Sequence, residues 1–315
     1  MDFTYFYKTK YSLPSALKSH KEYDVFLSCY SSSERSQAIL NNINSKTSLL
    51  FLLPEYHDLE VKDKAINCFK INLIEEEAVI FKDLFSHSTL TKGTKLCIDL
   101  TGFFIPHLLF LINYLHMNGF KSFDAIYSEP NTYNNKERTL FSSSFHTARQ
   151  IQGYEGCHVP DTSNDILIIG SGYDNARIID VANNKAKARK IQVFGFPSLQ
   201  PDMYQENVLQ AYKAESALGG DSFIDLANNI YAPANDPFVA AQLIMEFINK
   251  ENAKRSITNL YFSPISTKAH ALGFALYYFW QKKTPASIIF PFCHEHYTDN
   301  TRGIGKIFIY TVEMP

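Results

Sequence analysis

The sequence predicts an α/β protein built from two three-layer halves with mainly parallel sheets, one unit used twice. Three observations carry this. Short apolar runs lack the polar alternation of a half-solvated strand, so both of their faces are covered. Segments of helical length separate these runs, as crossovers between parallel strands require. Polar residues recur at near-constant offsets between the two halves. A chain of 315 residues also has the length of about two domains.

In the first half, Tyr23 to Ser28 (YDVFLS) reads as a buried strand, and the serine-rich loop after it leads into a helix through Ala38, Ile39 and Leu40. Ser48 to Leu53 is a second apolar run, stopped by Pro54. Leu96 to Asp99 forms a third strand ending in Leu100-Thr101-Gly102, and 103–117 has helical length. Phe123 to Tyr127 is a further strand, followed by a polar loop reaching Tyr133.

The second half repeats this order. Asp165 to Ile169 is a strand, and Gly170-Ser171-Gly172 with the residues to Arg177 opens a helix. Ile191 to Phe196 is stopped by Pro197, and a helix lies near 237–250. Leu260 to Ser263 leads through Ser266-Thr267-Lys268 into another helix, and Ser287 to Phe292 is the matching strand. Gly303 to Tyr310 reads as a turn and a final strand at a sheet edge. Asp24 and Asp165 are 141 residues apart, and Arg35 and Arg177 are 142 apart. His107 and His270 are 163 apart, while Tyr133/Tyr297 and Arg138/Arg302 are each 164 apart. An insertion within 199–232 of the second copy accounts for the change of offset. A single larger α/β domain would match the order of elements but not these polar positions. The expected division is therefore two Rossmann-like halves, 1–158 and 159–315.

Composition excludes several functions. Thirty Lys and Arg against 32 Asp and Glu leave a net charge of -2, so long nucleic acid is not an expected partner. Five cysteines without a CxxC pair fit neither a disulfide framework nor a zinc ribbon, and indicate a reducing, cytoplasmic setting. The N-terminus has no apolar signal-peptide core. The segments 103–120 and 271–280 are too interrupted by polar residues to span a membrane. Gly170-Ser171-Gly172 fails as a dinucleotide fingerprint because Asn175 stands where a third glycine belongs, so no NAD or other cofactor is expected. Cys293-His294-Glu295-His296 has the residue types of a metal cluster, but its spacing supplies too few ligands, so no metal is expected.

In an open parallel sheet, ligands bind beyond the carboxyl ends of the strands. The residues expected there are Ser28, Tyr30, Ser31, Glu34, Arg35, Asp99 and Thr101 in the first half. In the second they are Ser171, Tyr173, Asp174, Arg177, Ser263, Ser266, Thr267 and Lys268. Hydroxyls and helix-start N–H groups suit phosphate oxygens, arginine and lysine supply charge, and tyrosine stacks on planar groups. Ser28, Thr101 and Ser171 read equally as helix caps. Glu34, Asp99 and Asp174 are the carboxylates available for acid–base catalysis.

Asp99-Leu100-Thr101-Gly102 and Ser266-Thr267-Lys268, each between a strand and a helix, resemble CARF-type modules, and two such modules in one chain resemble SAVED domains of bacterial antiviral systems. The resemblance spans about 290 residues in organisation and rests on short motifs. It implies a cyclic oligonucleotide bound between two modules, cleaved in some members. The strand Tyr23 to Ser28 is also similar to the opening strand of TIR domains, some of which cleave NAD, but nothing downstream follows that pattern. The expected function is that of a nucleotide-type ligand sensor or binding protein in bacterial antiviral defence, with the ligand expected in the cleft between the two Rossmann-like halves. The alternatives are an enzyme cleaving such a ligand, NAD or a nucleoside, and a partner-binding subunit of a defence complex.

Overall fold

The computed structural model describes residues 2–60, 66–72, 75–87, 90–133, 142–201, 203–219, 226–280, 285–296 and 301–315. In chain order the elements begin with β1 (Tyr7–Tyr11), β2 (Tyr23–Tyr30), α1 (Glu34–Asn42), β3 (Ser45–Leu52) and β4 (Ile66–Lys70). Then come α2 (Glu77–Ile80), α3 (Lys82–His87), β5 (Leu96–Asp99), α4 (Ile105–Met117), β6 (Ser122–Ser128) and β7 (Thr132–Tyr133). They continue with β8 (Ser142–Gln150), β9 (Ile166–Gly170), α5 (Asn175–Asn184), β10 (Arg189–Gly195), α6 (Met203–Lys213) and α7 (Glu215–Leu218). The last are β11 (Asn229–Ala232), α8 (Pro237–Lys254), β12 (Leu260–Pro264), α9 (Lys268–Trp280), β13 (Ala286–His296), β14 (Thr301–Arg302) and β15 (Ile307–Glu313).

These elements form two α/β units with mostly parallel sheets, as the apolar runs predict. The seven-stranded sheet has the order β4-β3-β2-β5-β6-β15-β1. The six-stranded sheet has the order β11-β10-β9-β12-β13-β8. If the five parallel strands of each are numbered by chain order, both sheets read 3-2-1-4-5. This is the common order of open doubly wound sheets, in agreement with two α/β halves. Burial follows position in the sheet. Every residue of β5, β9 and β12 is buried, whereas the edge strands β4 and β1 are largely exposed or half-buried. That contrast is why the central strands stand out in the sequence and the edge strands β1 and β4 do not.

In each sheet an antiparallel strand lies directly beside the fifth parallel strand: β15 beside β6, and β8 beside β13. These two strands also match, β15 lying about 164 residues after β8. They are exchanged, however. β8 follows β6 in the chain but pairs with β13, while β15 follows β13 but pairs with β6. The compact units therefore interleave: residues Phe6–Asn134 with Thr298–Pro315 form the first, and Met1–Tyr5 with Asn135–Tyr297 the second. A single cut between 158 and 159 does not coincide with this division. β15 is also not an edge strand, because β1 pairs with its other side. Its first four residues are all buried.

The helices predicted from 103–117 and after Lys268 are α4 and α9. They are core helices, with Leu108, Leu109, Leu111 and Ile112 of α4 and Leu272, Phe274 and Leu276 of α9 all within 1% of complete burial. Among the described residues no helix is long and apolar enough to cross a membrane.

Candidate functional site

In both sheets the strand order reverses between the first and fourth parallel strands, β2 and β5 in one unit and β9 and β12 in the other. This is where open α/β sheets place ligands, and the sequence-predicted residues lie around these strand ends. They divide into a buried set that builds the loops and a more accessible set.

In the first unit, Ser28 and Asp99 are buried at the ends of β2 and β5, and Ser28 Oγ donates to Asp99 Oδ2 at 2.9 Å. The other carboxylate oxygen accepts the Thr101 N–H at 2.8 Å, and Thr101 Oγ1 accepts the Ser128 N–H at 3.0 Å. One chain of bonds thus fixes the ends of β2, β5 and β6. Gly102 closes it sterically: a Cβ there would lie 2.2 Å from the Cys29 carbonyl oxygen. Ser33 caps α1, its hydroxyl accepting from Ser36 N, and Ser31 Oγ accepts the Ser33 N–H at 3.1 Å. Arg35 reaches across the sheet edge, donating from Nη1 to the Ser128 carbonyl at 2.8 Å and from Nη2 to Thr301 Oγ1 at 3.1 Å. Glu34 accepts the Gly303 N–H at 2.7 Å. Tyr30, half-buried, meets Tyr56 edge-to-face at 5.0 Å.

The second unit reaches a similar result with different residues. Buried Ser171 donates to Gln192 Oε1 at 2.8 Å, and its carbonyl accepts from Asn207 Nδ2 at 2.8 Å. Here the close approach comes from the other side of the switch point, since a Cβ on Gly172 would lie 2.3 Å from the Ile265 carbonyl oxygen. Asp174 caps α5, accepting from Ala176 N and Arg177 N. Its carboxylate therefore occupies the helix start where an anion would otherwise sit. Arg177 is buried, with Nε 3.7 Å from Asp174 and its guanidinium 5.7 Å from the Phe290 ring centre. Tyr173 donates its hydroxyl to the Met203 carbonyl at 3.1 Å.

The start of α9 carries no carboxylate. Thr267 caps it, accepting the His270 N–H and donating to the Ala234 carbonyl at 2.7 Å. Half-buried Lys268 follows. Ser266 Oγ lies 3.1 Å from His270 Nδ1, and His270 Nε2 lies 3.0 Å from the Pro233 carbonyl oxygen. A carbonyl can only accept, so Nε2 bears the proton, and Nδ1 accepts from the Ser266 hydroxyl. Burial holds the imidazole down to about 4, against weaker opposing effects of carbonyl contacts and Asp236.

Several buried polar atoms at these strand ends have no hydrogen-bonding partner among the described residues. In the first unit they are Ser128 Oγ and Arg35 Nε, and in the second Ser263 Oγ and Asn207 Oδ1. Ser128 and Ser263 are fully buried, at 0% exposure. Sequence reasoning missed Ser128 and Asn207, because one closes an ordinary strand and the other lies inside a helix. Neither position has a local signal.

Among the described residues no group of three or more His, Cys, Asp or Glu side chains is placed to hold a metal ion. The side chains of Cys293 to His296, and residues Arg138 and Tyr297 of the Tyr–Arg spacings, lie outside the described residues. No protein-family model matches the chain, and no curated protein matches its sequence.

Proposed function

We propose that the protein binds a nucleotide-type ligand at the carboxyl ends of its parallel strands, with a sensing role in antiviral defence as the setting that its CARF-like and SAVED-like resemblance implies. The observation that carries the reading is the set of unpartnered buried polar atoms at that edge of each sheet. Buried polar groups are nearly always paired, and a ligand rich in acceptors and donors would satisfy Arg35 Nε and the two serine hydroxyls. Tyr30, Ser31 and Arg35 form the accessible set in the first unit. Tyr173, Ser266, Thr267 and Lys268 form it in the second.

Hydrolysis of the ligand is favoured by one observation, the Ser266–His270–Pro233 hydrogen-bond chain, which has the nucleophile, base and orienting-group order of known hydrolases. Burial of the imidazole argues against it, because the imidazolium formed on proton transfer would be strongly disfavoured. Glu34, Asp99 and Asp174 are engaged by backbone N–H groups, which leaves binding as the preferred reading.

Titration calorimetry with a panel of cyclic and linear nucleotides tests it. Binding at micromolar concentration is expected for at least one member, followed by recovery of intact ligand on chromatography. Absence of binding at high micromolar concentration rejects the proposal, and loss of the ligand supports the hydrolytic reading instead.

A further inference from the structure

An aromatic pair lies at the carboxyl end of the second parallel strand in each unit, with the partner ring supplied by a different element: Tyr30 ends β2, whereas Tyr204 lies on α6. In the first unit, Tyr56 follows β3 and meets Tyr30 edge-to-face, with 5.0 Å between ring centres. In the second, Phe196 follows β10 and meets Tyr204 edge-to-face at 5.1 Å. Of these four rings Phe196 alone is strongly exposed, the other three being half-buried. Phe196 is 52% exposed, although its backbone is pinned by its N–H to the Ala232 carbonyl at 2.7 Å. Tyr204 is held in turn by Tyr231 at 6.3 Å, and Tyr231 stacks on buried Phe194 at 5.9 Å. Phe196 is thus an exposed ring on a fixed support, beside the strand that borders the switch point.

We propose that Phe196, backed by Tyr204 and Tyr231, is the subsite that stacks the planar base of the ligand. This rests on the nucleotide reading and assigns the base to a residue other than Tyr173, whose hydroxyl is committed to Met203. A ring fixed by its backbone and by two further aromatics loses little freedom when a base covers it. Stacking of this kind accepts any base because every base presents a π-face. Among the described residues no charged group pairs with the ring of Phe196, so the expected ligand class is broad among bases and selective for a planar group.

The test compares adenosine, AMP and ribose 5-phosphate on the full chain, using calorimetry and the fluorescence of Phe196→Trp. Adenosine and AMP should quench the introduced tryptophan. Phe196→Ala should weaken both by about tenfold or more, leave ribose 5-phosphate unchanged and retain the wild-type melting temperature. Tyr204→Leu should weaken the same two probes by a smaller factor. If adenosine binds through Phe196 while ribose 5-phosphate does not bind at all, the stacking subsite stands and the phosphate part of the nucleotide reading falls. If ribose 5-phosphate binds and adenosine does not, or if base-bearing probes bind equally well to Phe196→Ala, the subsite is refuted. Failure of every base-bearing probe refutes it as well.

Discussion

Gly102 and Gly172 show how much of the architecture at the strand ends depends on a missing methyl group. A Cβ at either would sit 2.2 or 2.3 Å from a facing backbone carbonyl oxygen, that of Cys29 in β2 or of Ile265 after β12, and backbone cannot yield cheaply. Gly102→Ala and Gly172→Ala should each lower stability by roughly 1–3 kcal/mol or more. Gly93→Ala, with nothing within 4 Å of its added carbon, should be nearly neutral, and urea titration of the three variants checks the contrast. His270 makes a different prediction. Its folded-state value of about 4 lies below its ordinary 6.5, so the unfolded chain binds the proton first. Its contribution is complete above about pH 6.5 and is lost as the pH falls toward 4, a change on the order of 2–3 kcal/mol. His20 and His158 are also lowered by burial and add in the same direction. The stability difference between wild type and His270→Gln should therefore shrink between pH 6.5 and 4.5. A constant difference would show that the imidazole is not held neutral.

Individual elements differ in how openly the sequence declares them. β2, β5, β9 and β12 are mostly apolar runs because both of their faces are covered, and that pattern survives without any tertiary information. β1 and β4 lie at an edge, need few apolar residues, and so carry no signal. β15 reads as an edge strand in the sequence, yet β1 pairs with its other side, and the unbroken apolar run Ile307 to Tyr310 is the local sign of that coverage. A limit applies to the site as well. Serines and arginines at strand ends are legible as candidates, but their sorting depends on partners far along the chain, such as Asp99 for Ser28 and Thr301 for Arg35. Asp174 illustrates a local role that can be measured. Replacing it with alanine removes the α5 cap and the carboxylate beside buried Arg177, so a loss of at least 0.5–2 kcal/mol is expected in chemical denaturation.

Over the whole chain, the exchange of β8 and β15 ties the two repeats together covalently and topologically. A fragment of residues 1–158 lacks β15, and a fragment of residues 159–315 lacks β8. Each would expose the outer edge of its fifth parallel strand, an open row of N–H and C=O groups. Neither fragment should melt cooperatively alone, and co-expression of the two should restore cooperative unfolding. Independent, cooperative melting of both fragments would show that the exchanged strands are dispensable. A swap of this kind also explains why the polar offsets persist through residues that belong to different compact units.

The central claim is that ligand binds at the carboxyl ends of the parallel strands. Amide hydrogen exchange, measured with and without each member of the nucleotide panel, reports on that location most directly. Slowed exchange concentrated in 28–35 and 99–104, in 171–174, 195–196 and 263–268, or in both sets is the predicted result. Slowed exchange confined to other segments, or unchanged exchange with every member of the panel, would contradict it.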